Sequence, residues 1–129
     1  MNPGRSVLPA LLALALALGL AGCATDAPLA PGQPKEVRGK RLGPHAVHEE
    51  CFALDRGDAV SWRFTAEVPI AFNVHYHEGK AVIIPVSREA VTQDTGRFDA
   101  LTPQEYCLMW EAGGVPLLID YTLQMTRKR

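Results

Sequence analysis

Four things are scarce in this chain of 129 residues, and each absence excludes a class of answer. No apolar run reaches the roughly 20 residues that a bilayer-spanning helix needs; the run from Val7 to Leu20, almost all Leu and Ala, falls short. No charge excess suits nucleic acid, since without Arg5 the remaining 12 basic and 14 acidic residues leave a formal charge of −2. After residue 45 no segment carries a convincing 3.6 period; Ser87 to Asp94 comes nearest, and it is too short and too rich in Val and Thr. Catalytic signatures are missing as well: there is no nucleophile elbow, HExxH or phosphate-cradling glycine loop, and Asp58, Asp94 and Asp99 read as turn residues. A dyad of Cys107 with His75 would be silenced by a disulfide. The chain therefore reads as a non-enzyme.

What is present starts with an address. Leu20-Ala21-Gly22-Cys23 closes the apolar run, which is a signal segment removed on export. These four residues resemble the signal-peptidase II pattern of bacterial lipoproteins. The resemblance implies that Cys23 begins the mature chain, its sulfur carrying a diacylglycerol and its amine a third acyl chain; two chains already anchor firmly. An ordinary signal peptide with a cysteine beside its cleavage site is the alternative. Ala24, standing where an inner-membrane retention Asp would be, implies the outer membrane, with the domain facing the periplasm. Removing residues 1–22 leaves 107, enough for one domain plus a tether.

The tether is expected at 23–44, where Pro28, Pro31, Pro34 and Pro44 stand among Gly, Ala and basic residues without apolar periodicity. Extended, about 20 residues at roughly 3 Å each span on the order of 60 Å. Lys35, Arg38, Lys40 and Arg41 there, with Arg127, Lys128 and Arg129 at the end, read as solvated tails; a membrane-facing basic pole is the other reading.

Residues 45–129 read as all-β. Val60, Trp62, Phe64 and Ala66 alternate with polar residues; Ile70, Phe72, Val74 and Tyr76 do the same beyond a Glu67-Val68-Pro69 corner. Glu78-Gly79 turns the chain into Ala81 to Val86, and Gly113-Gly114 fits a hairpin turn before the last strand. From Val115 to Met125 the alternation runs long enough for a central strand, with Pro116 at its start, where a missing amide hydrogen does least harm. About eight short strands in some 85 residues predict a small antiparallel β-sandwich or jelly roll with one disulfide, because a single sheet could not cover both its faces.

Of the three cysteines, Cys23 is spent on lipid, leaving Cys51 and Cys107 for one bridge in an oxidising compartment. Closing about 57 residues contributes roughly 4 kcal/mol in the chain-entropy model, and would pin strands at the two ends of the domain. A reactive or metal-binding thiol pair is the competing use.

Cys51-Phe52 in a first strand, Gly57-Asp58 before an alternating strand, Gly96-Arg97-Phe98-Asp99-Ala100 ahead of Tyr106-Cys107, and a long last strand together resemble the GOLD (Golgi dynamics) domain over roughly residues 49–125. That resemblance implies a compact antiparallel β-sandwich with the two cysteines paired, binding cargo, partner proteins or lipid and catalysing nothing. The chain departs from the family in having no transmembrane helix or coiled coil after the domain. The run Phe72 to Gly79 with Tyr106 to Trp110 is similar to runs in bacterial exported proteins.

His75-Tyr76-His77 carries the chemistry. On a strand, residues two apart share a face with their roots about 6.5 to 7 Å apart, so two imidazoles can converge on zinc or copper if His48, Glu49, Glu50 or Glu78 supplies a third ligand. The alternative is a polar face with Asn73 in the same row, contacting a partner. Cys107 and Met109 share a face by the same parity, and with Cys51 could offer sulfur to Cu(I) if the thiols stayed reduced. The sequence thus predicts a lipid-anchored envelope module that binds a protein or lipid partner, needs no cofactor and touches the membrane through its N-terminal lipid; a zinc or copper protein using His75 and His77 is the second reading.

Overall fold

The computed structural model describes residues 27–129, so the signal segment and Cys23 lie outside the described residues. Six strands follow in order: β1 (Lys35–Leu42), β2 (Val47–Leu54), β3 (Ala59–Glu78), β4 (Ala81–Asp99), β5 (Gln104–Glu111) and β6 (Leu117–Thr126). All neighbouring strands pair antiparallel, in the order β1-β6-β3-β5-β2, with β4 along the other edge of β3. No described residue is helical; Ser87 to Asp94 lies within β4.

The 20-residue β3 organises the molecule. Its first half, Ala59–Ala66, pairs with β6, and its second half, Ala71–Tyr76, pairs with β5. Between them, at the expected corner, the ladder to β4 loses register between Thr65 and Ile70. Pro69 has no N–H to donate, so a break in the ladder falls naturally here. The chain does not stop at the corner; it bends and carries on into the other layer. One layer is therefore β1-β6 with the first half of β3, the other β2-β5 with the second half, and the β3–β4 ribbon crosses both. What the sequence read as two strands, 60–66 and 70–77, is one.

Alternation then fills the space between the layers. Val60, Trp62 and Phe64 from the first half of β3, and Ile70, Phe72 and Val74 from the second, are all buried. They meet Trp110 of β5 and Tyr121 of β6 in a chain of rings: Phe64–Phe72 at 4.9 Å between centroids, Phe72–Trp110 at 5.5 Å and Trp110–Tyr121 stacked at 4.6 Å. Gly96 faces Trp62 across the β3–β4 pair, and a Cβ there would stand 2.3 Å from the indole. The missing side chain is what lets the ring lie flat against β4.

The expected disulfide is present, the eight short strands expected are six longer ones, and two further expectations change. Residues 35–42, assigned to the tether, form β1, an edge strand on β6, so the folded part begins before residue 45. Their alternation is hidden by a register shift between Val37 and Lys40, where Gly39 takes φ +62° and its N–H donates to Asp120 Oδ1. Gly113-Gly114 is not a hairpin turn: β5 and β6 belong to different layers, and the link crosses between them, fastened by His45 N–H to the Gly113 carbonyl at 2.8 Å. The disulfide joins Cys51 and Cys107, which stand directly opposite each other on the neighbouring strands β2 and β5; positions far apart in sequence are adjacent in space.

Candidate functional site

Strand parity builds one face from three strands. The inward turn of Phe72 and Val74 sends Asn73, His75 and His77 to the outer side of β3. Across the ladder, His75 stands opposite Cys107, and Cys107 opposite Cys51; one step along, Asn73 stands opposite Met109, and Met109 opposite Glu49. The histidine row and the sulfur-bearing row expected from the sequence are thus a single face.

His75 is the fixed point of that face, with only 5% of its surface exposed. Its Nδ1 donates to Asn73 Oδ1 at 2.8 Å, which points Nε2 towards Glu49 Oε1, 3.6 Å away. The His77 ring meets the His75 ring edge-on, 5.4 Å between centroids, and is itself exposed. Cys51 is open to solvent while Cys107 is covered. Glu49 Oε lies within 4.8 Å of both sulfur atoms.

Two of the four third-ligand candidates are on the other side of the sheet. His48 and Glu50 point between the layers: His48 Nε2 is 2.8 Å from the Tyr121 hydroxyl, which donates to Glu50 Oε1 at 2.6 Å, while Lys35 Nζ reaches the same carboxylate at 2.7 Å. Burial pushes the Glu50 carboxyl up, but the His48, Lys35 and Tyr121 groups around it outweigh that and hold it down at about 2. This is a structural clasp between β1, β2 and β6. Reading β2 by parity from Phe52 and Leu54 would have sent Glu50 inward. Glu78 ends β3 at the turn, leaving Glu49 beside His75.

The face also carries apolar surface that sequence reasoning missed. Val82, opposite His77 on β4, and Ile84 two residues on are each 51% exposed, as is Val47 at the far end of β2. Val82 and Ile84 belong to an apolar run from Ala81 to Val86 in which both parities are apolar, so alternation gives no inner or outer side there. Concavities lie elsewhere, along the first half of β3: one beside β1 and β6 around Arg63, Thr65, Asp120 and Thr122, with the buried Phe64 and Tyr121 in its lining, and one between β4 and β6 around Trp62, Gly96 and Leu123.

No protein-family model matches the chain, and no curated protein does either. Among solved structures it is similar to PliG of Aeromonas hydrophila, a periplasmic lysozyme inhibitor of g-type lysozyme, with a TM-score of 0.52 over 77% of this chain and 96% of that one, at 11% sequence identity. At that identity the likeness is one of architecture: the two chains share an all-β fold.

Proposed function

We propose that this chain is a lipid-anchored envelope protein whose β-sandwich binds a protein partner through the outer face of β2, β5, β3 and β4, without catalysis. The observation that carries the reading is the exposed apolar set Val47, Val82 and Ile84 bordering the ordered Asn73–His75 row. Edge strands with bare aliphatic side chains and free ladder groups are where another chain adds on. The likeness to a periplasmic inhibitor of g-type lysozyme, and the resemblance to a domain family of binding modules, support the same use. Anchoring rests on Leu20-Ala21-Gly22-Cys23, and a periplasmic orientation on Ala24.

The test is site-specific photocrosslinking in intact cells, with the probe placed at Val82 or, as control, at Thr122 on the opposite layer. A discrete adduct from Val82 and none from Thr122 is the expected result; equal labelling from both sites would reject the face. Since PliG is an inhibitor of g-type lysozyme, that enzyme is the first purified partner to assay, by clearing of a cell-wall suspension. Cys23→Ser should move the protein from the membrane to the soluble fraction, and unchanged detergent dependence would reject the anchor.

A further inference from the structure

The outer face brings together more metal-ligating chemistry than a docking surface needs. Glu49 and Cys51 are two apart on β2 and share a side; Cys107 is the direct partner of Cys51 on β5; His75 is the direct partner of Cys107 on β3. Four donors of three kinds thus sit in neighbouring positions of three adjacent strands. Three of them, the two sulfur atoms and a Glu49 oxygen, lie within 4.8 Å of one another, and the fourth, His75 Nε2, is 3.6 Å from Glu49. His75 is already aimed: the bond from Nδ1 to Asn73 fixes the ring and presents Nε2, as outer-shell partners do for metal-bound imidazoles.

We propose that reduction of the Cys51–Cys107 bridge converts this face into a closed zinc site, with the two thiolates, the Glu49 carboxylate and His75 Nε2 as its four ligands. Zinc fits better than Cu(I) because half of the set is imidazole and carboxylate. Tetrahedral zinc with Zn–S bonds of about 2.3 Å places two sulfur ligands about 3.8 Å apart, a separation the pair must adopt once the S–S bond is broken. The reductant is a dithiol. Its thiolate attacks the exposed Cys51 sulfur, the S–S bond breaks and Cys107 leaves as thiolate; the second thiol of the donor then attacks the mixed disulfide, freeing Cys51 and departing as a cyclic disulfide. Two electrons and two protons pass to the protein, and Zn2+ binding releases the two thiol protons. The metal takes over the staple between β2 and β5, so the face exchanges a covalent link for a coordinate one according to the thiol poise around it. This does not depend on the docking reading.

The experiment is zinc titration of the full chain in detergent, oxidised and after reduction with a non-chelating phosphine, read by native mass spectrometry, with circular dichroism reporting the sheet. The expected result is a single Zn2+ on the reduced chain and none on the oxidised chain. Co2+ in place of zinc should give a thiolate-to-metal charge-transfer band. Glu49→Gln and His75→Gln should each weaken zinc binding, and Asn73→Ala, which touches no metal, should weaken it about tenfold while leaving the oxidised fold unchanged. Equal zinc uptake by oxidised protein that is lost in His77→Ala would overturn the proposal in favour of a histidine-pair site. So would a reduced chain that keeps its strand signal yet takes no zinc, or one that loses that signal and does not regain it with zinc.

Discussion

Glu50 stands where β2 faces β1 and β6, and its carboxylate is held by Lys35 and Tyr121 with His48 alongside. Its pKa lies near 2 against an ordinary value of 4.5. The charged form is the one the folded state prefers, so the stabilisation is complete above pH 4.5 and is lost as pH falls towards 2. Discounted for the solvent that still reaches this half-covered group, it amounts to about 2 kcal/mol. Asp58, lowered from 3.8 to about 2 chiefly by the Lys128 backbone N–H and then by Arg127 and the Asp55 backbone, acts with the same sign over the same range. Thermal melts should therefore be flat from pH 7 to 5 and fall steeply below, and Glu50→Gln should flatten part of that fall. Gly96→Ala should lower stability by roughly 1–3 kcal/mol, because the new methyl must displace the Trp62 indole; unchanged denaturant midpoints would show that the ring moves freely. Glu50 was legible as a candidate third ligand, but its inward pairing with Lys35 and Tyr121 was not, because the residues of β1 were assigned to the tether; the partner of Gly96 is invisible until the register is known. His75, His77 and Asn73 were legible, since parity alone puts them on one side.

At the scale of elements, the bridge fastens β2, an edge strand with a single pairing neighbour. Cys107→Ser should lower stability by ~4 kcal/mol, measured by denaturant unfolding of oxidised protein; equal midpoints would mean that β2 holds without it. The strands with one wet and one buried side, 60–66, 70–76 and 117–125, announced themselves by alternation. β1 did not, because the shift around Gly39 reverses its parity halfway. β4 was half visible, since most of its 19 residues are exposed along an edge and burial never forced a pattern on them. The continuity of β3 was illegible because Pro69 looks like a terminator, and only tertiary pairing with two different strands shows that it is a bend.

For the whole molecule, the ends are more tightly held than charged tails usually are. Asp58, only 3% exposed, accepts Arg127 at 2.5 Å and the Lys128 N–H at 2.8 Å, so the last residues close the mouth between β2 and β3. Deleting residues 127–129 should lower the melting temperature and raise the Asp58 pKa, a shift that carboxyl-resolved NMR titration would read directly. At the other end, Pro31 bridges Met125 in β6, so the chain meets the sandwich before β1 begins. The all-β class and the single bridge were legible from alternation and from the cysteine count. The layering was not, because it depends on where one long strand changes partners.

That change of partners has a consequence for how the molecule comes apart. A sandwich whose two sheets were separate could shed one of them while the other stayed folded. Here β3 and β4 supply ladder partners to both layers, so breaking either sheet strips hydrogen bonds from a strand the other needs. Unfolding should accordingly be all-or-none, with the slowest amide exchange equally slow at Val60 and at Val74 and governed by one global opening.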